Sequence, residues 1–121
     1  MRIAALIVCA VLGLAADADV AGNWSGKTRT SVDGKVEEDT IYLSLKQNAN
    51  VVTGTAGPTA DQQKPISGGK IDGSHVTFDL PVPGGVFKFD INLDEGHLKG
   101  DVVASAQGQT IKAVMDAARV K

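Results

Sequence analysis

Apolar residues in this chain recur at every second position, in short runs separated by turn dipeptides. That period leaves room for little besides antiparallel β-structure. Ile41, Leu43 and Leu45 alternate with Tyr42, Ser44 and Lys46. Val76, Phe78 and Leu80 alternate with His75, Thr77 and Asp79, and Phe87, Phe89, Ile91 and Leu93 alternate with Lys88, Asp90 and Asn92. Successive side chains of a strand point to opposite faces, so each run has one apolar and one solvated face. No stretch of about 11 residues carries the helical period. Residues 111–120 are rich in Ala, but the short turn before them and their β-branched neighbours favour a strand.

Asp33-Gly34, Asn48-Ala49-Asn50, Asp72-Gly73, Gly84-Gly85, Glu95-Gly96 and Gln107-Gly108 stand between the runs and supply residues that tolerate positive φ. The longest interruption, residues 57–64 (GPTADQQK), reads as a polar loop. The expected strands are residues 22–30, 36–47, 51–56, 65–72, 74–81, 86–93, 97–106 and 109–120. This predicts an all-β fold: an eight-stranded antiparallel up-and-down meander closed into a small barrel, with a β-sandwich as the alternative. Closure removes both edge strands and the aggregation hazard they carry. Gly26, Gly54 and Gly100 fall at inward positions, where glycine permits strong bending. Gly68-Gly69 separates Ile66 from Ile71 out of phase, which predicts a bulge.

Residues 1–18 read as a secretory signal peptide: Arg2 is the positive start, an apolar run follows, and Ala16-Asp17-Ala18 fits a small-x-small cleavage site. Twelve apolar residues fall short of the roughly 20 that span a bilayer. Val8, preceding Cys9, does not suit lipidation. The expectation is a secreted or periplasmic single domain over residues 19–121, monomeric and without stable membrane insertion. Cys9 is the one cysteine, so the mature domain lacks thiol nucleophiles, disulfides and cysteine metal sites. A net charge of −2 without a basic run argues against nucleic-acid binding.

Gly22-Asn23-Trp24 opens the first strand and Arg119 lies near the end of the last. This pairing resembles the calycin superfamily, the lipocalins, avidins and fatty-acid-binding proteins. There a G-x-W strand start closes one barrel end and an Arg from the final strand packs over the indole. The resemblance implies structural barrel closure by Gly22, Trp24 and Arg119. A guanidinium over an indole gains about 0.5–2 kcal/mol. The order G-x-W-x-G, L-x-L-x-Q, V-x-G-T, P-I-x-G-G-K-I-D-G and L-K-G also resembles that of short secreted bacterial proteins. The chain departs from lipocalins in its shortness and lack of a cysteine pair and lid loops. It also lacks an avidin-like ring of polar and aromatic interior residues, so a biotin-type site does not carry over.

Motifs for chemistry are sparse. Ser25-Gly26-Lys27-Thr28 ends like a P-loop, but its spacing is one residue short and no helix follows. Asn23-Trp24-Ser25 is a sequon that reads as coincidence in this setting. His75 and His97 follow turns with outward parity, which disfavours metal or haem ligation. Glu37-Glu38-Asp39 reads as a solvated strand start. No carboxylate pair or nucleophile with partners is visible, so the expectation is a non-enzymatic protein without cofactor or metal.

The expected interior comprises Trp24, Ile41, Leu43, Leu45, Val52, Ile66, Ile71, Val76, Phe78, Leu80, Phe87, Phe89, Ile91, Leu93, Leu98, Val102, Ile111 and Met115. An eight-stranded barrel either fills with side chains or holds one small ligand. Gly54, Ala56, Gly100, Ala104 and Ala113 thin the wall, whereas Phe78, Phe87 and Phe89 fill the lumen. If a pocket exists, Leu43, Val52, Phe78, Phe87, Phe89, Ile91, Val102 and Met115 are its expected lining, for a small hydrophobic ligand. The alternative is a packed barrel that engages an extracytoplasmic protein through its loops and rim, as an interaction or inhibitor-type module. Residues 57–64 are then the longest recognition loop.

Overall fold

A computed structural model describes residues 19–32 and 34–120, and all its regular structure is antiparallel strand. The expected leader at residues 1–18, with Cys9, and Asp33 of the first expected turn lie outside the described residues. The strands are β1 (Gly22–Val32), β2 (Lys35–Asn48), β3 (Val51–Thr59), β4 (Gln62–Pro65), β5 (Ser67–Asp72), β6 (His75–Val82), β7 (Gly85–Asp94), β8 (His97–Ala106) and β9 (Gln109–Arg119).

The nine strands occupy eight positions in a closed barrel. Each of the hairpins β1–β2, β2–β3, β6–β7, β7–β8 and β8–β9 pairs its neighbours, and β9 returns to β1 from Trp24↔Arg119 to Thr30↔Ala113. β4 and β5 share one position. β4 pairs with the far half of β3, and β5 meets its start at Val51↔Lys70. Backbone hydrogen bonds from Ile66 N to Gly54 O (3.0 Å) and from Ile71 N to Asn50 O (3.0 Å) carry the composite strand along β3. The β5–β6 register shifts between Ser67 and Lys70, where Gly68-Gly69 was expected to bulge.

The expected loop at residues 57–64 requires correction. β3 runs on through Pro58 to Thr59, β4 starts at Gln62, and the connection is a tight turn at Ala60-Asp61. Gln63 locks this hairpin: its amide nitrogen donates to the carbonyls of Tyr42 (3.1 Å) and Thr59 (2.8 Å), and its amide oxygen accepts from Thr55 Oγ1 (2.7 Å). These bonds replace apolar burial as the source of order, so alternation is absent where the strands are present.

Inward parity runs as expected on every long strand. Trp24, Leu43, Leu45, Val52, Ile71, Val76, Phe78, Phe89, Ile91, Leu98 and Met115 are among the buried core residues. Phe78 and Phe89 are stacked with ring centroids 4.5 Å apart, a contact worth about 0.5–1.5 kcal/mol beyond burial. Ile66 and Leu93 are partly buried against this core. At Gly54 the wall is pinched: φ is 135°, and a Cβ would lie 2.0 Å from the Ser44 carbonyl oxygen. No side chain fits there without moving β2. Phe87 and Ile111, expected at inward positions, are 37% and 41% exposed. They keep inward parity but stand at an end of the barrel that is not filled.

Candidate functional site

The two barrel ends are built differently. At the end where β1 starts and β9 finishes, residues 19–21 fold across the opening. Val20 is buried, and its amide donates to Gln47 Oε1 at 2.9 Å. Trp24 is wholly buried beneath it and donates its indole N–H to the Val20 carbonyl at 2.9 Å. The Arg119 guanidinium lies 4.5 Å from the centroid of the indole and donates to the carbonyls of Ala21 (2.7 Å) and Asp19. Gly22 passes directly below it: a Cβ there would approach Arg119 Nη1 to 3.1 Å. Gly22, Trp24 and Arg119 thus form one stopper, in which the Trp24 indole N–H and both terminal nitrogens of Arg119 donate to backbone carbonyls.

At the opposite end the lumen opens into a cavity of about 750 Å³. Its size lies within the range of about 300–1,000 Å³ typical of small-molecule sites. Four consecutive strands each contribute two apolar residues to one wall: Leu80 and Val82, Phe87 and Phe89, Val102 and Ala104, Ile111 and Ala113. Ile41 and Ala56 extend this surface on β2 and β3. The remaining wall is polar, with Thr28 and Thr30 on β1, Asp39 and Thr40 on β2, and Asp61, Gln62 and Lys64 around the β3–β4 turn. None of the ion pairs among the described residues involves Asp39, Asp61 or Lys64.

Of the residues expected to line a pocket, Phe87, Phe89 and Val102 meet at this cavity. Leu43, Val52, Phe78, Ile91 and Met115 are buried in the packed half of the barrel and are not part of its lining. Short inward residues leave the void open: Ala104, Ala113, Thr28 and Thr30 line it, whereas the packed half carries Leu43, Ile91, Leu98 and Trp24 at inward positions. Thr28, Thr30, Asp39 and Lys64 were missed as lining residues. For the two threonines a signal was present, since counting by twos from Trp24 reaches both.

His75 and His97 sit outside the barrel, as their parity predicted. His75 Nε2 contacts Asp90, and His97 Nδ1 lies 2.6 Å from Asp116 Oδ1, both pairs solvent-exposed. Glu38 faces outward and pairs with Arg29 (3.0 Å) and Lys27 (3.9 Å). Among the described residues no group of three or more His, Cys, Asp or Glu is placed to hold a metal ion.

No protein-family model matches the chain, and a search of curated proteins finds no match. The closed antiparallel barrel is compatible with a calycin-like fold.

Proposed function

We propose that this protein is an exported, non-enzymatic binder that takes one small hydrophobic molecule into the open half of its barrel, as a lipocalin- or avidin-type calycin. The observation that carries this reading is the 750 Å³ cavity, with its wall of paired apolar residues from β6 to β9. A monomeric barrel gains nothing in stability from leaving Phe87 and Ile111 partly exposed around a void. An apolar guest removes that surface from water at about 25 cal/mol per Å². The Trp24–Arg119 stopper supports the calycin assignment, and the signal-like residues 1–18 support a secreted or periplasmic site of action. A packed-core interaction module has less support, because half of the lumen is not packed and the supposed recognition loop is a tied hairpin.

Titration with Nile red, a neutral apolar dye whose emission rises in dry surroundings, tests this. Saturable enhancement at one dye per chain is expected. Ala104→Trp, which places an indole in the lumen, should abolish the enhancement while the thermal transition stays cooperative. Enhancement that never saturates, or that survives Ala104→Trp unchanged, contradicts the reading.

A further inference from the structure

The cavity is chemically two-sided, and its polar side has a sign. Facing the apolar wall, Thr28 and Asp39 are cross-strand partners, as are Thr30 and Glu37. Cross-strand partners share a face; Thr28, Thr30 and Asp39 line the cavity, with Glu37 one level beyond Asp39 on β2. Asp61 adds a further carboxylate at the β3–β4 turn, and Lys64, paired with Ala56, is the one cation lining the cavity among the described residues. Lys35 stands beyond them near the tip of the β1–β2 hairpin, opposite Val32. The Thr28 hydroxyl oxygen lies 3.5 Å from the Asp39 carbonyl oxygen, and a hydroxyl oxygen can accept as well as donate. The mouth therefore offers carboxylate and hydroxyl acceptors, with more negative than positive charge and, among the described residues, no ion pair that cancels it.

An ammonium group matches that set, being a compact cation with three donors and no acceptor. A carboxylate head would meet Asp39 and Asp61 as a like charge. We infer that the ligand is an amphiphile with an apolar body and an amine head. The body lies against Phe89, Leu80 and Val102, and the head is held at the mouth by Asp39, Thr28 and Thr30. This inference rests on the cavity reading above and adds the class of head group to it.

Three probes of equal chain length separate the two claims: decylammonium, decan-1-ol and decanoate, titrated calorimetrically below their aggregation thresholds at low ionic strength. Decylammonium is expected to bind tightest and decanoate weakest. Each step is up to about fivefold, as suits partly exposed charges, and shrinks as added salt screens them. Asp39→Asn should weaken decylammonium by a similar factor and leave decan-1-ol unchanged. Lys64→Gln should act oppositely and tighten decylammonium. Equal affinities, tightest binding of decanoate, or indifference of decylammonium to Asp39→Asn overturns the head-group inference while the cavity reading stands. Failure of all three probes to bind overturns both.

Discussion

The two ends of this barrel are made from the same strands and the same alternation, yet one is sealed and the other is hollow. At the sealed end Trp24, Val20 and Leu98 are completely buried, and Arg119 ties the chain start down over the indole. At the hollow end the inward positions carry Ala104, Ala113, Thr28 and Thr30, and Phe87 and Ile111 among them remain partly wet. Polarity pattern decides which way a side chain points; side-chain volume decides whether the space it points into is closed. Tight packing is concentrated at one end, and open space at the other.

The contrast can be broken most forcefully at its two aromatic landmarks. Trp24→Ala should cost about 3–5 kcal/mol, as for large buried aromatics, whereas Phe87→Ala at the mouth should cost about 1 kcal/mol or less. Urea unfolding of both variants checks this, and similar losses would show that the ends are equally packed. A matched pair of enlargements is the next test. Ala117 is buried opposite Gly26, so Ala117→Leu should destabilise by about 1–3 kcal/mol through overpacking. Ala113→Leu projects into the cavity and should change stability by no more than about 1 kcal/mol while reducing Nile red binding.

The architecture was largely legible in the residues. The run 97–106 coincides with β8, and the other long runs meet their strands within a few residues, because one face of each is buried and alternation records it. The Gly68-Gly69 bulge was legible because Ile66 and Ile71 fall out of phase across it; Gly68 takes φ +66°, and a Cβ at Gly69 would lie 2.1 Å from the Val52 carbonyl oxygen. The hairpin from Gly57 to Lys64 was not legible. Both its faces are largely solvated, so burial left no period, and the Gln63 side-chain bonds that order it have no local signature. The void was half legible: Ala104 and Ala113 were visible as small inward residues. Whether neighbouring side chains reach across to fill the gap depends on the barrel's curvature at that level, which no single strand encodes.

Smaller effects sharpen the account of the sealed end. Arg119→Met keeps the stem but loses the cation–π contact and the two carbonyl bonds, an expected loss of about 1–2 kcal/mol. Faster hydrogen exchange at the Val20 and Ala21 amides should accompany it, with the β6–β7 amides unaffected. Uniformly faster exchange would mean that the stopper holds the whole barrel and not its end. The least effect is expected at Glu38 on the outer face: Glu38→Gln removes exposed ion pairs with Arg29 and Lys27 and should cost about 0.2–1 kcal/mol.

The central claim, that the unfilled end accepts an apolar guest, is met most directly by methyl and indole NMR during a titration with decan-1-ol. Saturable shifts should gather at Leu80, Val82, Val102, Ala104, Ile111 and Ala113, with the Trp24 indole N–H and the Leu98 methyls unmoved. Shifts confined to the outer faces, around Val114 for instance, or no saturable shifts at all, would contradict it.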